Sequence, residues 1–191
     1  MDQQQVVNIV SCGWAVLGVW FLLGMFRSGA IRSREPVMMR LVDAAGLACG
    51  FYLLFSPGAT WAPLSRHFAS THIAVAWLGA GVALVGLVLA MWSRLALGQY
   101  WSPVVAVKEH HRLIQSGPYR MVRHPLYTGL LLAAAGTAIT LNRWQGVIGV
   151  LVLLAVFLRR ARKEDAVMQA EFGEEFSAYR RRAGQIVPGC G

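Results

Sequence analysis

Gly117-Pro118-Tyr119-Arg120-Met121-Val122-Arg123-His124-Pro125-Leu126-Tyr127-Thr128-Gly129 packs basic, aromatic and turn-forming residues against a long apolar run. A membrane helix needs no such stretch in order to insert, so it reads as a polar site at the mouth of a membrane bundle. Ser116-Gly117-Pro118-Tyr119 carries the turn signal. Pro125 then stands at a first-turn position of the next helix, where its missing N–H costs little.

The rest of the 191-residue chain agrees: it is 56% hydrophobic and only 14% charged, too apolar for an ordinary soluble domain. Five apolar segments stand out: Val6–Phe26, Val37–Phe55, Ile73–Trp92, Leu126–Leu141 and Trp144–Leu158. The first and third reach the roughly 20 residues that cross a bilayer as a helix. The second carries Arg40 and Asp43 in its first turns, where they snorkel or pair at the interface. The last two are short and joined by Asn142-Arg143-Trp144-Gln145-Gly146, which predicts a tight helical hairpin. The expected fold is therefore an all-α integral membrane protein of about five crossings, with that hairpin and an amphipathic helix after it. It reads as a single domain, residues 1–92 supplying three helices and 93–191 the connector, hairpin and C-terminal helix. Gly46-x-x-x-Gly50 and the glycines Gly79, Gly81 and Gly86 suit close helix packing.

A net charge of +9 invites a nucleic-acid reading, which the positions of the charges exclude. If every segment crosses, all of the 18 Lys and Arg except Arg66 and Arg143 lie on one side. That asymmetry places the N-terminus outside and the C-terminus in the cytoplasm, with anionic headgroups attracting the basic loops. No Lys or Arg precedes the first segment and no clean cleavage site follows it, so a signal peptide is not expected. Cys12, Cys49 and Cys190 supply neither a disulfide framework nor metal spacing, and are expected to be structural.

Two polar regions on the cytoplasmic side hold the candidate chemistry. The connector Ser93–His124 is longer than a helix–helix link requires, and Tyr100, Trp101 and Tyr119 give it body. In Arg159–Arg182, Met168, Phe172, Phe176 and Tyr179 recur on one helical face, predicting an amphipathic helix on the membrane surface. Arg160 and Glu164 stand one turn apart, the spacing of a plain surface ion pair. Aromatic faces at Trp101, Tyr119 and Tyr127 suit an adenine ring or a sulfonium cation. Arg120, Arg123 and His124 suit a carboxylate or phosphate, and Glu164 a ribose diol or an ammonium. S-adenosylmethionine carries these parts, and nucleotides fit nearly as well.

Gly117-x-Tyr119-Arg120-x-x-Arg123-His124-Pro125-x-Tyr127-x-Gly129 resembles the signature of the isoprenylcysteine carboxyl methyltransferases, integral-membrane enzymes related to the phospholipid methyltransferases. Leu97-Gly98-x-x-Trp101-Ser102 and Lys108-Glu109-x-His111-x-Leu113-Ile114-x-Ser116 are similar to bacterial members. So are Arg160-x-x-x-Glu164-Asp165 and Phe172-Gly173-x-x-Phe176-x-x-Tyr179. The resemblance covers Leu97 to Gly189. Two departures stand out: Asp165 replaces the second Glu of the usual acidic pair, and Ala183-Gly184 replaces a Val-Pro.

The resemblance implies an S-adenosylmethionine pocket facing the cytoplasm of a bacterial inner membrane. In it His111, Arg112, Leu113, Ile114, Tyr119, His124, Pro125, Leu126, Tyr127 and Glu164 would line the cofactor. Arg160 would face the methyl acceptor, a lipophilic or small molecule reached from the membrane lipids, and Arg160 with Glu164 would be the catalytic pair. Arg120 and Arg123 are left to topology and headgroups. A carboxylate acceptor needs no general base; a thiol or amine would need His124 or Glu164. An NADPH-dependent membrane reductase and a non-catalytic membrane protein with a degenerate site are the rival readings.

Overall fold

Hydrophobic length dictates the architecture of the computed structural model. It describes residues 2–25, 31–34, 36–56, 64, 66–68, 72–98, 106–108 and 113–189. Among the described residues the helices are α1 (Gln3–Met25), α2 (Val37–Phe55), α3 (Ile73–Leu97), α4 (Pro125–Leu141), α5 (Trp144–Phe172) and α6 (Glu174–Arg182). α1, α2, α3 and α5 are long and apolar enough to cross a membrane, and α4 is a shorter apolar helix. Leu22, Leu23, Leu41, Leu78, Val85 and Val88 lie on the outside of the bundle, where acyl chains would solvate them. The protein is an integral membrane protein with an all-helical bundle. To that bundle the structure adds one short antiparallel ribbon of β1 (Ile31–Arg34) and β2 (Ala106–Lys108), which ties the α1–α2 loop to the connector.

At 17 residues α4 is only about 25 Å long at 1.5 Å per residue, short of a roughly 30 Å hydrocarbon core. It is tolerated because it is wrapped in protein, not lipid: α3 and α5 pack on it, and Ala133 and Ala134 are fully buried. Glycine makes the α3–α4 approach possible. A Cβ added at Gly86 would lie 2.3 Å from the Ala133 amide nitrogen, and one at Gly136 2.3 Å from that of Ala83. Without a hydrophobic force between helices in lipid, such backbone contact supplies the packing. Gly46 and Gly50 of α2 likewise receive Val156 and Leu153 of α5, whereas Gly81 faces open space. α1 joins through Trp14, whose indole donates to Thr137 Oγ1 at 2.9 Å and meets Phe51 edge-on. Cys12 and Cys49 are free thiols on the outside, and Cys190 lies beyond the described residues.

The hairpin is present, but its second arm does not end with its hydrophobicity. α5 runs on past Leu158 for fourteen more residues, carrying Arg159 to Phe172 out of the apolar layer. The expected single surface helix over Arg159–Arg182 is corrected in the same region. Gly173, at φ +51°, ends α5 and starts α6. The chain folds back, so Phe176 and Tyr179 are buried against Leu113, Met168 and Phe172. The apolar face is satisfied by the protein's own connector.

Substituting Gly136 by Ala should lower thermal stability in detergent by about 2 kcal/mol, the usual scale of overpacking. Gly81→Ala should be neutral or slightly stabilising, since nothing lies within 4 Å of the added methyl. Denaturation midpoints of the two variants check this.

Candidate active site

The end of the bundle where α4 begins is built by three local devices. Gly117, at φ +59°, opens a 3-10 turn over Gly117–Arg120. Pro125 starts α4 and leaves His124 just outside it, with no side-chain cap bond to spend its ring on. The extension of α5 brings Arg160 and Glu164, on one face, opposite His124 and Tyr127.

There the side chains interlock. The Tyr127 hydroxyl donates to Glu164 Oε1 at 2.5 Å and accepts from Arg160 Nε at 3.2 Å. The expected surface pair is thus joined through a tyrosine. His124 Nδ1 lies 3.3 Å from Glu164 Oε2, and its Nε2 lies 2.8 Å from Asp165 Oδ1. The imidazole stacks on Tyr127 at 5.6 Å and 11°, and Tyr127 stacks on Phe157 at 4.9 Å. Arg160 stands 6.0 Å over the Tyr127 ring.

Behind this row sits a second. Arg123 Nη2 donates to Asp165 Oδ2 at 3.0 Å and its Nε to Oδ1 at 3.4 Å. Its Nη1 donates to the carbonyls of Ala183 and Arg180 at the end of α6. Gln185 Nε2 donates to Asp165 Oδ2 at 2.9 Å. The tail runs beside the motif through a parallel bridge of Val122 with Gly184. Arg123 N–H donates to Gly184 O at 2.8 Å and His124 N–H to Gln185 O at 3.0 Å. Thr128 Oγ1 donates to Ile186 O at 2.7 Å, and the Tyr179 hydroxyl to Tyr119 O at 2.6 Å. Ala183-Gly184, a departure in sequence, still forms an ordered strap across the motif.

The sequence-expected residues divide accordingly. His124, Tyr127, Arg160 and Glu164 form one cluster, and Tyr119 is buried within electrostatic reach of Glu164. Pro125 and Leu126 are buried at the root of α4, Leu126 in the main core. Leu113 packs on the Phe176–Tyr179 cluster and Ile114 is half-buried beside it in sequence. His111, Arg112 and Trp101 lie outside the described residues. Arg120 is exposed, as a topology or headgroup role requires, but Arg123 is 5% exposed and ion-paired. That role therefore does not hold for Arg123. Sequence reading also passed over Asp165 and Gln185 as contacts. The available signal was an acidic residue beside Glu164 that turns to the opposite neighbour on the helix. On another flank of α5, buried Asp43 pairs with Arg159 and, at 3.7 Å, with Lys163, the pairing expected of a carboxylate in a membrane helix.

Burial alone would lower the His124 pKa, yet hydrogen bonds to Asp165 and Glu164, with the charges of both, outweigh it and raise it to about 9. The imidazole is thus an imidazolium at neutral pH. Burial drives the Tyr119 hydroxyl well above its ordinary range, helped by the Glu164 charge, and drives Tyr179 up to about 12. Neither phenol ionises under physiological conditions.

Two stability predictions follow from these contacts. A raised folded-state pKa contributes stability that is complete below the unfolded value near 6.5 and is lost as pH rises through about 9. The unfolding temperature should fall across that window in the native chain and stay flatter in His124→Gln. Arg123→Ala, which strands a buried carboxylate, should cost about 3–5 kcal/mol; a loss under 1 kcal/mol would contradict the packing described.

Residues 74–175, just over half of the chain, match the phospholipid methyltransferase family. The chain is 30% identical over 117 residues to a probable protein-S-isoprenylcysteine O-methyltransferase of Oryza sativa subsp. indica, spanning 60% of this chain and 61% of that one. It is 32% identical over 111 residues to the protein-S-isoprenylcysteine O-methyltransferase of Schizosaccharomyces pombe, spanning 56% and 47%. It thus spans about three fifths or less of the length of these relatives. The solved eukaryotic intramembrane Ras methyltransferase ICMT superposes with a TM-score of 0.57 at 22% identity, over 80% of this chain and 52% of that chain, and shares its fold.

Proposed function

Because the chain belongs to the phospholipid methyltransferase family, we propose that it is a membrane-embedded methyltransferase that uses S-adenosylmethionine. The observation that carries this reading is the unequal filling of two adjacent carboxylates. An ionised carboxylate offers about four acceptor positions. Asp165 spends its capacity on Arg123, His124 and Gln185. Among the described residues Glu164 accepts only from Tyr127 and His124, and its side chain is 25% exposed. It retains lone pairs for a ribose diol or an ammonium, beside the aromatic faces that attract a sulfonium. The donor set fits the cofactor. His124, Tyr127 and Glu164 would hold it with Tyr119, and the proposed lining further includes His111, Arg112, Leu113, Ile114, Pro125 and Leu126.

When bound, S-adenosylmethionine supplies an electrophilic methyl group for in-line displacement. The chain's own residues position and dehydrate the reactants. Both ring nitrogens of His124 face carboxylates, so the imidazole has no lone pair with which to take a proton. Glu164, ionised beside the His124 ring, is proposed to spend its remaining lone pairs on the cofactor and so is not left to take a proton from the acceptor. Among the described residues no free base remains, which favours an acceptor that arrives ionised, and we propose a lipophilic carboxylate with Arg160 as its counter-ion. A thiol or amine acceptor would need proton removal that these residues do not offer. The acceptor enters from the lipid, and the site faces the cytoplasm of a bacterial inner membrane with the N-terminus outside.

Calorimetry on the purified protein tests the reading: S-adenosylmethionine should bind, and NADPH at the same concentration should give no heat. Glu164→Gln should weaken cofactor binding about 10- to 100-fold, the scale of one hydrogen bond to a charged group. Arg160→Ala should leave cofactor affinity near that of the native chain and abolish transfer of a labelled methyl group. With a carboxylate acceptor, transfer should be flat from pH 6 to 8 and decline as His124 loses its proton near 9. A rate that climbs through about pH 8.5 would point instead to a thiol.

A further inference from the structure

Asp165 raises a question that cofactor binding does not answer. It is a carboxylate next to the one proposed to meet the ligand, yet four donors occupy it: Arg123 Nε and Nη2, His124 Nε2 and Gln185 Nε2. Such a group has nothing left to offer a substrate. It can, however, aim the ring it holds. An imidazole bonded at Nε2 to a fixed acceptor has the direction of its other nitrogen determined, the logic by which outer carboxylates orient histidine ligands. Here the other nitrogen is Nδ1, 3.3 Å from Glu164 Oε2. The nearly parallel stack on Tyr127, 11° between planes, removes the remaining freedom of tilt.

Gln185 holds the arrangement from both sides. Its carbonyl accepts the His124 backbone N–H at 3.0 Å, and its side-chain amide donates to Asp165 at 2.9 Å. One residue of the C-terminal strap therefore pins both the main chain that carries the ring and the carboxylate that turns it. We infer that Asp165 and Gln185 are positioning residues: they fix the His124 ring so that Nδ1–H is aimed at Glu164, which makes the C-terminal strap part of the site. The consequence for ligand binding rests on the cofactor reading of Glu164.

Among the described residues the groups around His124 come from each element packed there. α5 presents Glu164 and Asp165, with Arg160 reaching in through Tyr127. α4 presents Tyr127 itself. Arg123 precedes the ring and is held on Asp165, Tyr119 is buried near Glu164, and Tyr179 of α6 lies near Asp165. The imidazolium is stabilised by two carboxylates, and only one of them is available to a ligand. Removing the rear one should both loosen the ring and lower its affinity for the proton.

The test is a titration of nitrogen-15-labelled histidine by NMR in nanodiscs, with the His124 signal assigned by its loss in His124→Gln. In the native chain the midpoint should lie near 9. Asp165→Asn should bring it down by about one pH unit or more, the effect of losing one adjacent opposite charge. Gln185→Ala should bring it down by a smaller, measurable amount, and Asp165→Glu should restore the native midpoint. S-adenosylmethionine affinity, measured against pH, should fall on the alkaline side at the midpoint of each variant, so that this limb moves with the midpoint. A merely structural strap would lower the melting temperature and leave midpoint and limb in place. An unchanged midpoint in Gln185→Ala and Asp165→Asn overturns the inference. If Asp165→Asn does not fold, Gln185→Ala and Asp165→Glu still decide it. Failure of the native chain to bind S-adenosylmethionine would sink the cofactor reading alone, since the histidine midpoints need no ligand.

Discussion

Burying a guanidinium and a carboxylate costs several kcal/mol per ion, and their attraction repays it only when further hydrogen bonds satisfy what remains of each group. The Arg123–Asp165 pair meets that condition. Arg123 also reaches the carbonyls that end α6, and Asp165 also receives His124 and Gln185. One ion pair therefore joins four pieces of chain: the 3-10 turn, the extension of α5, the end of α6 and the C-terminal strap. Tyr127, Glu164 and Arg160 meet because this bracket holds α5 against the start of α4.

The bundle supplies the other fixed reference. α4 can be short and central because α3 lies against it at backbone distance, with glycine at Gly86 and Gly136 removing the side chains that would keep them apart. Its first turn is then fixed in depth and rotation, which sets Tyr127 toward α5. Asp43 of α2, buried and paired with Arg159 and Lys163, secures the extended arm of α5 from another side. The site thus rests on helices whose packing is settled away from the chemistry, and polar groups at their ends complete it.

This construction also narrows the chemistry. A histidine in an apolar surrounding ordinarily loses its proton, because burial penalises the charged form. Two carboxylates reverse the sign for His124. Its use as a base is thereby closed, and its use as a donor to Glu164 is opened. Positioning and charge complementarity are what the described residues offer a methyl-transfer reaction, in keeping with an acceptor that needs no deprotonation.

Hydropathy and charge asymmetry determined a good deal by themselves. α2 spans Val37–Phe55 as expected, and α4 runs to Leu141 with Pro125 in its first turn, also as expected. Lipid contact demands continuous apolar surface, so the crossings are written locally in the chain. His124, Tyr127, Arg160 and Glu164 were grouped by the family resemblance, whereas the four-residue helical period by itself gave Arg160 and Glu164 only as a surface ion pair. The end of α5 was not legible, since hydropathy marks where lipid ends and not where a helix does. Nor was the fold-back at Gly173, which turns an apparent membrane-facing stripe onto the connector. Arg120 and Arg123 share a residue type and a motif; one is exposed and the other buried. What separates them is a carboxylate 42 positions away and a strap about 60 positions away, brought close only by folding. The residue types were settled by sequence, but their partners, and hence their charge states and roles, by long-range packing.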